Sequence, residues 1–321
     1  MLVGGLLLAW IVVVTALAPL LTRVAWPSAA PKLALLLWQA SFVSVAQSAV
    51  LLALVSWHDV FERIAAWMFH ARDDQIDNVY RMVHVGGTWF VAALVLMVFI
   101  HVVVVAVREA RALAAFRRTH RQGLDLLAPG TQDGVQILGH HSPAVYCVPG
   151  RRPRVVVTTG ALDCLTAAQL QAALAHERAH LRGRHHWLHL AGRACGRAVP
   201  WLPLTRAFET ESNRLMEMAA DDFAARTSGR QTTAEALIRI STGGTSPLGS
   251  LAAAAADVAD RVERLVLHRR MSRGARLGVG AVILILVGFP LAGTALPGVD
   301  AFGPRHLVSN ASHELTTRPV P

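Results

Sequence analysis

The sequence predicts a mainly α-helical, multi-pass membrane protein with a small α+β domain inserted ahead of its last span. Three observations predict it: an apolar composition, four long uncharged segments, and arginines crowded beside two of them. Hydrophobic residues make up 53% of the 321, charged residues 16%, and mean hydropathy is +0.41. An ordinary soluble domain carries about 25% charged residues, so composition alone argues for a bilayer.

The apolar segments are Leu2–Leu21, Leu33–Trp57, Thr88–Val107 and Leu277–Leu296, none with Asp, Glu, Lys or Arg. Each approaches or exceeds the about 20 residues that cross hydrocarbon as a helix. The first is expected to stay uncleaved, because Met-Leu-Val-Gly-Gly offers no positive n-region and the apolar run is too long for a signal peptide. Gln39, Ser41, Ser44, Gln47 and Ser48 in the second span read as interhelical hydrogen-bonding positions. His101 in the third reads as a neutral, packed histidine.

Arginines set the orientation. Arg108, Arg111, Arg117, Arg118 and Arg121 follow the third span; Arg261, Arg264, Arg269, Arg270, Arg273 and Arg276 precede the fourth. Basic flanks belong in the cytoplasm. The loop His58–Gly87 is close to neutral and suits the outside, whereas Arg23 and Lys32 suit the inside. The expected organisation is three spans in residues 1–107, a cytoplasmic domain in 108–276, a fourth span in 277–296 and a short outside tail in 297–321, with both termini outside. The net charge of +10 then reads as topology anchors on anionic lipid, and no nucleic-acid contact is expected. Cys147, Cys164 and Cys195 fall on the cytoplasmic side without a C-x-x-C, so neither a disulfide framework nor a thiolate metal site is expected.

Within the inserted domain, Val135–Leu138, Ala144–Val148 and Arg154–Thr158 are β-branched runs bounded by Gly and Pro. Pro149-Gly150-Arg-Arg-Pro153 joins the last two as a hairpin connection. Arg154–Thr158 is the candidate for an edge strand along a cleft, with an ordinary core strand as the alternative. Thr166 and Gln169 form a capping box that opens a helix ending near Gly183. That helix carries His176-Glu177-Arg-Ala-His180, an H-E-x-x-H motif. Histidines four apart stack on one face and reach one ion. The intervening glutamate points beside the metal, where it takes a proton from a bound water. Zinc needs a third protein ligand and an open position. Glu217 and Asp221, four apart on a helix expected from about Glu209 to Thr227, supply it: one carboxylate to the metal, the other to a histidine behind it. Val199-Pro-Trp-Leu-Pro203 folds this helix back over the first. His185, His186 and His189 read as solvated or packing histidines, with His185 as the one that comes near the site if the helix continues past Gly183. His185, Asn213 and Arg214 are the candidates for stabilising an oxyanion.

Together, the H-E-x-x-H, the Pro-Trp-Leu-Pro turn and Glu217-Met-Ala-Ala-Asp221-Asp222 resemble the BlaR/MecR-type membrane zinc metallopeptidases, a gluzincin-like group related to the HtpX-like proteases. The resemblance implies a zincin-like cytoplasmic peptidase domain between the third and fourth spans. It also implies one zinc per chain held by His176, His180 and Glu217, Glu177 as catalytic acid/base, and Asp221 as the residue orienting a zinc-binding histidine. The expected client is a cytosolic protein, a winged-helix repressor of the BlaI/MecI type by family analogy, and self-association is left open. No S-x-x-K motif of a penicillin-binding sensor domain follows the last span, so the trigger is expected to differ from that of the antibiotic-sensing members. The alternatives are a transducer that sequesters a repressor without cutting it, and an HtpX-like quality-control protease.

Overall fold

The computed structural model describes residues 2–68, 76–128, 131–132, 134–243, 251–267 and 271–301. The elements in chain order are α1 (Leu2–Leu21), α2 (Trp26–Ala29), α3 (Pro31–Met68), α4 (Ile76–Leu127), β1 (Thr131–Gln132), β2 (Val135–Leu138), β3 (Val145–Val148) and β4 (Arg154–Thr158). They continue as α5 (Thr159–Cys164), α6 (Ala167–Arg182), α7 (His185–Ala198), α8 (Pro203–Ser228), α9 (Arg230–Gly243), α10 (Leu251–Leu267) and α11 (Arg273–Ala301). Two compact units emerge. One combines the chain up to Val14 with Ala40–Val95 and the part of α11 from Ala281 onward; the other combines Thr15–Gln39 with Leu96–Gly280.

In the first unit, Trp10 stacks on Phe289 at 4.2 Å and its indole N–H donates to Ser44 Oγ at 2.8 Å. Ser44 thus makes the kind of interhelical bond its position suggested. Among the described residues, Pro31–Val55 of α3 and Arg273–Ala292 of α11 are long and apolar enough to cross a bilayer, and Val3–Ala18 is a shorter apolar stretch. The segment Thr88–Val107 lies within α4, but several of its side chains fall outside the described residues, as does the tail from 302. Helix also covers most of the expected outer loop, since α3 runs to Met68 and α4 starts at Ile76. No glycine or proline interrupts Val55–Met68, so nothing stops that helix early.

The second unit is built on a mixed sheet in the order β1-β2-β4-β3. β2 and β4 are parallel, with Val135 opposite Val155, while β3 and β4 are antiparallel, with Cys147 opposite Val155. This corrects the expected edge: β4 is internal, and the edge is β3. The reason is legible in burial. Val155, Val156 and Val157 are at most 7% exposed, so β4 is covered on both faces, as a continuous β-branched run in a central strand should be. The Pro149–Pro153 connection joins β3 to β4 as expected. Arg121 of α4 holds it by donating to the carbonyls of Val148, Pro149 and Arg152 at 3.0–3.2 Å. Arg121, expected as a topology anchor, therefore serves the fold.

Against the sheet lies a core of Val155, Val157, Ala161, Leu165, Ala172, Ala173, Leu174 and Ala236, and α6 packs most extensively on α8. The capping box is present: Thr166 Oγ1 accepts from Gln169 N–H, and Gln169 Oε1 accepts from Thr166 N–H. Pro203 starts α8 at its first turn, where its missing N–H costs nothing, and Thr205 Oγ1 ties the helix to the Val199 and Leu202 carbonyls. The short loop between α1 and α3 belongs to this unit. Trp38 packs on Phe208 of α8 with ring centroids 6.4 Å apart, and Arg264 of α10 donates to the Ser28 carbonyl.

Candidate active site

α6 and α8 bring His176, His180 and Glu217 together, with one ligand atom from each lying within 4.8 Å of the others. The donor spacing is tighter than that bound. His180 Nε2 is 3.1 Å from His176 Nε2, His176 Nε2 is 3.3 Å from Glu217 Oε2, and His180 Nε2 is 3.4 Å from Glu217 Oε1. Ligands at zinc's bond lengths of about 2.0–2.1 Å in a tetrahedron stand about 3.3 Å apart. The two imidazole nitrogens and the Glu217 carboxylate, which meets one ring through Oε2 and the other through Oε1, thus gather at about the separation that zinc ligands need, and their chemistry fits zinc.

Each histidine is held from behind, by a different kind of group. His176 Nδ1 lies 2.9 Å from Asp221 Oδ1, and Asp221 is 1% exposed. Arg261 of α10 grips that carboxylate with two bonds of 2.8 Å and reaches Glu217 Oε2 at 3.2 Å. His180 Nδ1 lies 2.9 Å from Nδ1 of His185. His185 is buried against the His180 ring, which rules out the solvated role and brings it to the site, as the alternative reading allowed. It arrives there by a helix break, not by continuation. α6 ends at Arg182, Arg184 takes φ 48°, and α7 begins at His185. Gly183 makes the break fit, since a Cβ there would come within 2.4 Å of His185 Nε2.

Glu177 sits beside this cluster. Its Oε2 accepts the N–H of Cys147 on β3 at 2.9 Å, and burial raises its pKa. Burial likewise pushes the Cys147 thiol up to about 12, helped by the Glu177 carboxylate. Burial opposes charge on His176, but its hydrogen bonds to Asp221 and Glu217 prevail and raise it to about 9. Burial, only partly offset by the Glu217 charge, lowers His180 and His185 to about 4 each. Burial also works against the Glu217 carboxylate, yet the hydrogen bond to His176 and nearby positive charge bring it to about 2. Asp221 is depressed in the same way, against burial, by Arg261 and His176.

A cleft of about 670 Å³ opens over the cluster, lined on one side by Tyr146, Cys147 and Val148 and on another by His185, His189 and Asn213. Of the oxyanion candidates, exposed Asn213 lines this cleft one turn before Glu217, and His185 lines it with Nδ1 engaged. Arg214 does not line it. It is turned to Glu211 at 2.7 Å and Asp260 at 3.5 Å, because that side of α8 faces α10. Asp222 pairs with Arg264 at 2.6 Å. Arg261 and Arg264, expected as membrane-flanking charges, are thus spent on the carboxylates of α8. Sequence reasoning missed Arg261. The only available signal was that a buried carboxylate pair needs a cation, and spacing does not say which of many arginines provides it. The three cysteines are free thiols.

Residues 114–199 match the model of peptidase family M48, a span that covers α6 and stops short of α8. No curated protein and no solved structure matches the chain. Over about a quarter of its length, the chain is similar to a family of metallopeptidase hydrolases, and the donor cluster described above lies partly within that stretch and partly beyond it.

Proposed function

We propose that this chain is a membrane-bound zinc metalloprotease that cuts a cytosolic protein. The observation that carries the reading is the cluster of His176, His180 and Glu217 at about zinc-ligand spacing, with a half-buried carboxylate, Glu177, beside it at the edge of a sheet. Bound there, zinc would lower the pKa of water and polarise a peptide carbonyl. Glu177, whose pKa is raised by burial, takes the proton of the attacking water and returns it to the leaving amine. The Cys147 N–H fixes the orientation of that carboxylate. Asp221 holds the His176 ring with Nε2 facing the cluster, and Arg261 keeps Asp221 ionised and in place. The free edge of β3 pairs with an extended substrate backbone, and the Asn213 carboxamide supplies a donor to the developing oxyanion.

The four-span topology, with the site facing the cytoplasm and both termini outside, belongs to the same proposal. Outward-facing Phe90, Met97, Phe99, Leu277 and Leu284 support it, each at least 60% exposed, since such apolar surface suits lipid. The loop between α1 and α3 also shares a compact unit with the site, as a loop on the cytoplasmic side would. By its BlaR/MecR-type resemblance, the client is a small winged-helix repressor whose cleavage relieves repression. Substrate trapping with Glu177→Gln tests this: the variant should retain one such protein uncut. A broad set of trapped membrane proteins would indicate quality control, and unchanged regulatory output in the variant would indicate sequestration without cleavage.

A further inference from the structure

We infer that the cavity between α4, the Pro149–Pro153 connection and the break before α7 binds one anionic phospholipid, its phosphate held by Arg117, Arg151 and Arg184. The inference rests on the membrane reading above and is independent of the protease chemistry. The cavity holds about 610 Å³, within the roughly 300–1,000 Å³ of a small-molecule site. That is room for a headgroup and the start of its acyl chains.

Three separate segments each bring an arginine to this one space, and among the described residues no Asp or Glu lines it. None of the three guanidinium groups has a hydrogen-bond or ion-pair partner among the described residues. Several neighbouring arginines are spent by contrast: Arg121 on backbone carbonyls, Arg154 on Asp125, and Arg193 and Arg197 on Glu109. The convergence is costly without an anion. Burial and repulsion from Arg121 lower the Arg117 pKa, and burial with the charges of Arg117 and Arg184 lowers that of His186 on the same wall. His186 Nδ1 is shut off from water without a hydrogen-bond partner among the described residues, a state that buried polar atoms rarely keep. A phosphate supplies the missing charge and acceptors, and the planar guanidinium fork suits its oxygens.

The other walls select a lipid over a free anion. Leu113, Leu190 and the exposed Trp187 line the same space, and a bare phosphate would leave them wet. The cavity is also continuous with the lipid-facing helix. α4 runs unbroken from its apolar stretch, where Met97 is 60% and Phe99 64% exposed, into Ala110, Leu113 and Arg117 on the cavity wall. At 1.5 Å per residue, Ala110 stands about 4.5 Å and Leu113 about 9 Å beyond Val107, close to the headgroup layer of about 5–8 Å. Arg117 is farther on, but helical side chains lean toward the N-terminus, here toward the bilayer. Tryptophan favours the same level, and basic pockets on the cytoplasmic side of spanning helices suit anionic headgroups. An acidic polypeptide would satisfy the arginines, yet nothing in it calls for apolar walls leading into a membrane span.

The test titrates full-length, zinc-loaded, delipidated protein in neutral detergent with dioleoylphosphatidylglycerol or dioleoylphosphatidylcholine, counting bound lipids by native mass spectrometry. One phosphatidylglycerol per chain should bind about tenfold or more tighter than phosphatidylcholine. Arg117→Gln and Arg151→Gln should each weaken it by about fivefold, the usual worth of one basic residue at an anionic surface. Arg118→Gln removes the same charge from the next residue of α4, which does not line the cavity, and should change affinity less than about twofold. Zinc content reports folding, and Arg151→Gln, on an exposed connection, decides alone if Arg117→Gln loses metal. No preference for phosphatidylglycerol, or equal losses in Arg118→Gln and Arg117→Gln, overturns the inference in favour of diffuse surface charge. Displacement of the lipid by inorganic phosphate overturns it in favour of a simple anion pocket. Displacement by an acidic peptide overturns it in favour of a polypeptide groove. Reconstitution in phosphatidylcholine nanodiscs separates the two readings: insertion without a lipid preference overturns the site alone, whereas failure to insert overturns the membrane reading and the site with it.

Discussion

The two histidines of the cluster sit one helical turn apart, yet their surroundings differ in kind. His176 is backed by a chain of buried charges, Asp221 then Arg261, whereas His180 is backed by a second imidazole, His185. Hydrogen bonds to Asp221 and Glu217 and their charge make His176 basic, near 9, whereas burial outweighs the Glu217 charge at His180 and leaves it weakly basic, near 4. The same element thus presents one strong and one weak donor. The difference comes from α8, α10 and the start of α7, not from the motif itself.

The largest expected effects probe the cluster shared by both halves. Glu217→Ala should abolish stoichiometric zinc binding, measured by atomic absorption, because two ligands rarely retain the metal. Glu177→Gln should keep zinc and lower peptide hydrolysis by at least about 10²-fold, the usual worth of a general base.

The next effects separate the two backings. Asp221→Asn should cost about 10–100-fold in zinc affinity or activity while leaving all ligands present. His185→Ala should cost less, since a neutral partner contributes less than a charged one. Equal losses would show that the two backings contribute alike. Arg261→Gln strips the cation from Asp221, so it should weaken zinc and also destabilise the domain, by about 3–5 kcal/mol on denaturation, as when a buried pair loses one member. Asp222→Asn, at a partly exposed pair with Arg264, should stay within about 1 kcal/mol.

The comparison also predicts a pH dependence. His176 carries its proton below about pH 9, whereas His180 and Glu217 are already deprotonated above about 4 and 2. Zinc uptake at pH 7 should therefore release about one proton, and affinity should rise about tenfold per pH unit until His176 deprotonates. Calorimetry in buffers of different ionisation enthalpy measures the proton count. Release of two protons would place His180 on the basic side as well.

The half of the site carried by α6 was legible because its signals are local. Thr166 and Gln169 cap the helix, and His176, Glu177 and His180 lie within one and a half turns. β2 and β4 announced themselves as β-branched runs between breakers. What was not legible depends on pairing between distant segments. The edge position passed from β4 to β3, because strand order is decided by what covers each face and not by the composition of one strand. His185 reaches His180 only through the break at Gly183 and Arg184, which spacing on a continuous helix does not reveal. Arg261 looked like a membrane anchor because charge counting cannot tell an arginine that faces lipid headgroups from one buried on Asp221. Asp221 itself was legible as one of two carboxylates four apart, but the half of its environment supplied by α10 was not.

The most direct test of the central claim is X-ray absorption at the zinc edge of the purified full-length protein, alongside metal analysis. One zinc per chain is expected, with two imidazole nitrogens and light oxygen donors at about 2.0–2.1 Å, and most of the zinc should be lost in His176→Ala. A sulfur shell near about 2.3 Å, which would bring Cys147 onto the metal, or zinc retained in full by Glu217→Ala, would contradict it.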